Sequence, residues 1–317
     1  MEENSQEETH SDHSKEMGTP LINPGFTPEE LVEVLLAGTE AECALVGGQA
    51  INLWSNLFSK KGLDPWSSLH PYTSRDVDFY ATQKSVKKLV VSLEVRGFKV
   101  DIAYPKNSSE EKFNLAALKI ENRSLSLDVN ILRTVSGISN NIEEWTQEVP
   151  LLNKIIKTIH PLNCVESKLF NLFELNQADR QDEKHLRLAV ANLSVYIEET
   201  ANKAPDETLE IVEILANVSK RPSALGILKT YQIDILNSIP INFLRAHSHS
   251  VLKEIGDRAM TVRGERDQVV ADERELKEWL LSLNPSPHKQ VDKEISLSKY
   301  KDLPNEITPQ KNAKISP

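Results

Sequence analysis

Cysteine is nearly absent: the chain of 317 residues contains two, Cys43 and Cys164. Both sit in apolar stretches, so there is no disulfide framework, and a reducing, cytoplasmic setting is expected. Long apolar runs are missing as well. No stretch approaches the roughly 18 residues that a membrane-spanning helix needs, and no membrane partner is expected. The opening MEENSQEETHSDHSKEMGTP lacks the apolar core of a secretory signal. Positive charge is in deficit, with 37 Lys+Arg against 47 Asp+Glu and a formal net charge of −10. That balance excludes a surface that grips nucleic acid everywhere, while leaving room for a local basic cleft. No internal repeat of solenoid period occurs.

What is present is ordinary for a globular protein, 39% hydrophobic and 26% charged, in a length that suits one large or two modest domains. Charge marks the ends of the folded part. Residues 1–20 hold six acids against Lys15, and residues 284–317 hold six lysines against four acids. Neither segment has the apolar residues to offset its ordering entropy, so 1–25 reads as a disordered acidic tail and 284–317 as a disordered Lys/Pro-rich tail.

Between the tails the patterning changes once. Thr27-Pro28-Glu29-Glu30 has the form of a capping box and opens a helix. Cys43–Val46 is a short buried-strand pattern closed by Gly47-Gly48, and 49–59 has helical spacing. Residues 60–73, rich in Pro, Gly and Ser, predict a long loop. Asp76–Tyr80 alternates as a strand, 84–96 reads as a helix stopped at Gly97, and 98–103, 113–120 and 125–132 are strand candidates. From about residue 150 the pattern is helical, with Pro161, Pro205, Pro222 and Pro240 punctuating it. The expected fold class is α+β, a mixed sheet in residues 26–155 followed by an all-helical domain in 156–283.

The chemistry concentrates in three short segments. On a strand, Asp76 and Asp78 point to one side while Val77 and Phe79 face the core. Two carboxylates about 7 Å apart along one strand repel each other, and Arg75 alone among their neighbours offers neutralisation. Asp128, in the alternating stretch LSLDVNIL, shares its face with Ser126 and Asn130. Three carboxylates on two strands suit a divalent metal, and hard oxygen ligands favour Mg²⁺ over zinc. Gly47-Gly48 leading into a helix forms a phosphate cradle, because bare glycines admit close approach and the helix N-terminus favours negative charge. Taken singly, the Gly pair is an ordinary turn and the Asp pair a solvated edge; in this order, with Asp128, they point to phosphoryl or nucleotidyl transfer.

The run Val46-Gly47-Gly48-Gln49-Ala50, then Ser74-Arg75-Asp76-Val77-Asp78-Phe79, then Leu127-Asp128-Val129 resembles the nucleotidyltransferase fold superfamily. Its Ser-x-Asp-x-Asp-Phe form is most similar to the AbiEii-type group, which includes abortive-infection and type IV toxin–antitoxin toxins. The resemblance spans about residues 40–190. It implies an enzyme that moves an NMP group from an NTP to an RNA or protein acceptor with Mg²⁺ or Mn²⁺, tRNA being the first acceptor to test. Asp76, Asp78 and Asp128 would hold the metal, and Asp128 would also act on the acceptor hydroxyl as base or by positioning it. Gly47, Gly48 and Ser74 would bind the nucleotide, Ser74 either capping a turn or touching the triphosphate. The group also has a lysine early in a following helical region and an Arg-x-x-Asp-like element, which Lys168 and Asp182 match. Lys168 is read either on a solvated helix face or on a phosphate in a cleft between the domains, with Asp182 near acceptor or base. An antitoxin partner is a further implication.

Two departures stand out: the 60–73 loop lengthens the spacing from Gly48 to Asp76, and residues 200–317 match nothing in the group. Lys168, Arg180, Lys184 and Arg187 are the basic cluster that an RNA acceptor would require. His247 and His249, two apart, share no helix face and carry no metal; Cys43 reads as core, and 263–278 as a solvated, salt-bridged helix. The competing reading is a catalytically inactive nucleotidyltransferase fold serving as a binding or scaffold protein.

Overall fold

The computed structural model describes residues 26–60, 74–123, 125–175 and 181–283. The two tails, the 61–73 part of the loop, and Arg180 lie outside the described residues. The elements run α1 (Pro28–Glu40), β1 (Ala44–Val46), α2 (Gly47–Lys60), β2 (Val77–Tyr80), α3 (Gln83–Val95), β3 (Lys99–Ala103), a single turn α4 (Ser108–Glu111), β4 (Asn114–Asn122), β5 (Leu125–Leu132), β6 (Thr146–Leu151) and β7 (Lys154–Ile159). Helices follow: α5 (Pro161–Phe170), continued by a π-turn at Asn171–Leu175, α6 (Asp182–Thr200), α7 (Pro205–Ser219), α8 (Pro222–Tyr231), a 3₁₀ turn at Ile235–Ser238, α9 (Ile241–Ala246) and α10 (Ser250–Leu283). The fold is therefore α+β, a seven-stranded mixed sheet followed by helices. No helix among the described residues is long and apolar enough to cross a membrane.

Local chemistry explains the first elements. The backbone N–H of Thr27 donates to Glu30 Oε2 at 2.9 Å and that of Glu30 donates to Thr27 Oγ1 at 3.2 Å, closing the capping box that starts α1. Gly97, at φ +85°, ends the turn after α3 as its position predicts. The sheet order is β3-β4-β5-β2-β1-β7-β6, with β2 parallel to β5, β1 parallel to β7, and β1–β2, β3–β4 and β4–β5 antiparallel. Val77, Phe79, Leu127, Val129 and Ile131 line one face and are fully buried, while Asp78 and Asp128 alternate to the other. Phe79 packs against Gly38 of α1, where any β-carbon would enter the ring.

The hairpin β6–β7 was not expected from the sequence. Its two-residue turn is Leu152-Asn153, both at positive φ, without the Asn-Gly or Asp-Gly signature that announces such turns. Pro150 within β6 also argues against a strand, and β6 tolerates it because it lies at the edge of the sheet.

The chain forms two compact units: 1–134 with 147–158, and 135–146 with 159–317. In the second, the segment 135–146 is tied to the helices. Trp145 lies edge-on to the His160 ring, the backbone N–H of His160 donates to the Trp145 carbonyl at 2.9 Å, and the Ser139 hydroxyl donates to Glu166.

Candidate active site

Register assembles the site in the first unit. Val46 of β1 stands opposite Asp78 of β2, and Asp78 stands opposite Asn130 of β5. The residue after Val46 is Gly47, at φ +68°, where the strand turns directly into α2. A β-carbon on Gly47 would collide with the Asp78 carboxylate. Glycine is thus required twice, by the backbone angle and by the carboxylate lying against the start of the helix. The first turn of α2 carries no acidic side chain of its own, and the carboxylate set against it is that of Asp78 from β2.

Asp78 and Asp76 each have their own support. Asn130 Nδ2 donates to Asp78 Oδ1 at 2.9 Å. The buried Ser74 donates through its hydroxyl to Asp76 Oδ1 at 3.2 Å, and its carbonyl accepts from Gln49 Nε2 at 3.3 Å, linking the approach to β2 with α2. The parallel register begins with Val77 opposite Val129; Asp76, in the bend that enters β2, and Asp128, which is exposed, each come one residue earlier in the chain. Asp78 and Asp128 therefore share a sheet face, while Asp76 precedes the strand.

In chemistry this donor set fits a hard divalent cation: all oxygen, presented by two neighbouring strands, beside a glycine whose bare Cα makes space for the carboxylate. In geometry the carboxylates are held separately, and among the described residues no three His, Cys, Asp or Glu side chains converge at metal-binding distance. Asn130 and Gln49 are the site residues that the sequence reading passed over. Asn130 was visible on the face of Asp128, but its use depends on a pairing between β2 and β5 that only the fold provides.

Lys168 and Asp182 lie in the second unit. Lys168 Nζ is 2.8 Å from Asp182 Oδ1, with the side chains 5% and 6% exposed. The solvated-face reading of Lys168 is overturned: this is a buried ion pair bridging α5 and α6. Of the basic cluster expected for RNA, Arg180 lies outside the described residues. Lys168 is internal, and Arg187 donates to Glu183 at 2.9 Å and to the Tyr231 carbonyl at 2.7 Å. Burial alone holds the Lys184 ammonium below its ordinary pKa. Cys43 and Cys164 are buried, and burial pushes each thiol up to about 12, which makes both inert as nucleophiles.

A second polar cluster surrounds His160, also in the second unit. Its Nδ1 accepts from the Leu162 N–H at 3.0 Å, which leaves Nε2–H to donate to Glu207 Oε1 at 3.1 Å. Tyr196 donates to the same oxygen at 2.7 Å. Burial lowers the imidazole pKa, and the contact with His160 lowers that of the Glu207 carboxyl.

No family model matches the chain, and no curated protein matches it. Among solved structures it is similar to JHP933 from Helicobacter pylori, at 13% identity and a TM-score of 0.37, over 78% of this chain and 95% of that one. A likeness of that size bears on neither fold nor function.

Proposed function

We propose that this protein is a metal-dependent nucleotidyltransferase that moves an NMP group from an NTP to an RNA or protein acceptor, in the manner of a toxin-type enzyme of a toxin–antitoxin or phage-defence system. The observation that carries the reading is the Gly47–Asp78 contact, which sets a helix start with no acidic residue of its own against a strand carboxylate, with Asp128 on the same face and Asp76 just before the strand.

Asp76, Asp78 and Asp128 would hold Mg²⁺ or Mn²⁺, which when bound neutralises phosphate charge. The N–H groups at Gly47 and Gly48 bind phosphate oxygen, and the short path from β1 into α2 keeps them rigid. Asn130 holds Asp78 through one oxygen and leaves the other directed at Gly47. Ser74 likewise holds Asp76 through one oxygen. Asp128, the most exposed of the three, takes the proton of the acceptor hydroxyl as its oxygen bonds to the α-phosphorus and pyrophosphate departs. The buried Lys168–Asp182 pair is not needed for these steps.

One observation favours a second reading, an inactive nucleotidyltransferase fold that binds a partner: Asp76 and Asp78 are separately hydrogen-bonded, and the described residues contain no converged metal group. Incubation with each labelled NTP, Mg²⁺ or Mn²⁺, and total RNA or total protein separates the two. Label incorporated only with metal supports transfer. NTP binding with no label in any acceptor supports the binding protein.

A further inference from the structure

Strand β3 ends the sheet, and among the described residues no strand pairs with its outer edge. Of the usual guards it carries charge, in Lys99 and Asp101. It contains no proline and no bulge, and its five residues are exposed or half-exposed. Lys99 and Asp101 lie on the polar face, where Lys99 Nζ is 2.8 Å from Glu121 Oε2 of β4 and Asp101 stands opposite Lys119, so a second copy would extend a ladder of alternating charge. Val100 and Ile102 lie on the other face, opposite the buried Ile120 and Leu118 of β4. Helix α3 packs over β3 and β4. Its flank toward α1 is occupied, since Lys88, Ser92 and Arg96 bond Glu42, Glu40 and Glu33. By helical spacing the opposite flank carries Lys87, Val90, Val91 and Glu94, and Val91 is 58% exposed.

We propose that β3 and this outer flank of α3 form the interface of a homodimer, two copies joining their sheets edge to edge around a two-fold axis at Val100. Charge selects both the partner and the register. With antiparallel pairing centred on Val100, Val100 meets its own copy and Lys99 stands opposite Asp101 of the second copy, twice by symmetry. Centring the axis on Asp101 or on Lys99 sets like charges opposite each other. Centring it between residues puts a polar side chain against an apolar one, because a one-residue slip reverses faces. The same axis runs α3 antiparallel to its copy on one face of the joined sheet. Lys87 then faces Glu94 in both directions, around Val90 and Val91. With strands about 4.8 Å apart, a helix seated over β3 and β4 lies roughly 10 Å from its copy, a packing distance. This inference uses no residue of the carboxylate site and stands or falls independently of it.

Light scattering after size exclusion of the full chain tests it. The wild type is expected at twice 35.7 kDa. K99E and D101K, each placing like charges opposite one another, are expected at the single-chain mass with unchanged circular dichroism. An equimolar mixture of the two, in which the introduced glutamate of one meets the introduced lysine of the other, returns the dimer, as does the double variant K99E/D101K. Should the strand variants fail to fold, V91D on α3 supplies the test from another element and is expected to be monomeric. A monomeric wild type at high micromolar concentration, single variants that stay dimeric, or a mixture that stays monomeric would each overturn the proposal.

Discussion

Gly47 joins backbone geometry and chemistry in one residue. At φ +68° an L side chain is strained, and the space for a β-carbon is filled by Asp78. Gly47→Ala is expected to cost about 1–3 kcal/mol of stability, read by urea unfolding, and to depress transfer by displacing the carboxylate. Asp78 answers differently. Removing its charge relieves repulsion with Asp76 and Asp128, so Asp78→Asn, which keeps the shape beside Asn130, leaves the metal-free melting temperature level or higher. The stabilisation gained on adding Mg²⁺ or Mn²⁺ then shrinks. A variant that unfolds would mark Asp78 as structural. Lys168 gives a third residue-scale test. Because both partners are buried, Lys168→Ala removes the cation from an internal ion pair, at a cost of about 3–5 kcal/mol. Replacing both by apolar residues of similar size is expected to cost much less, and denaturation of the single and double variants measures the difference.

At the scale of elements, legibility followed whether a signal was local. The Asp76-Val77-Asp78-Phe79 alternation announced its strand because Val77 and Phe79 are core residues, and the capping box at Thr27 announced α1 for the same reason of proximity. The β6–β7 hairpin escaped because Leu152-Asn153 reaches positive φ without glycine and Pro150 disguises an edge strand. Lys168 looked solvated on a helix considered alone; its burial comes from α6, whose Asp182 lies 14 residues further on. Asn130 likewise acquires its partner only through the parallel pairing of β2 with β5. What the sequence concealed in each case was a partner brought from another element.

The molecule as a whole joins a sheet unit that carries the carboxylates to a helical unit that carries its own buried polar network. That network makes stability depend on pH. His160 is buried and neutral, with its folded pKa below the ordinary 6.5, so protonation favours the unfolded chain and stability is lost as pH falls through 6.5. Glu207, held below its ordinary 4.5, adds a further loss as pH falls through that range. Glu166 works in the opposite sense, because burial raises its folded pKa and its contribution fades as pH rises. The difference in melting temperature between wild type and His160→Asn is therefore expected to narrow from pH 7.5 to pH 5.5; a constant difference would mean that His160 stays out of the titration. The central claim concerns the other unit, and one comparison reaches it directly: the rate of metal-dependent label transfer from NTP to total RNA or protein by wild type and by Asp78→Asn, at equal folded fraction. The account predicts incorporation by the wild type that disappears on chelation and is abolished in Asp78→Asn. Equal incorporation by the two proteins, or none by the wild type with any NTP, metal or acceptor fraction, would contradict it.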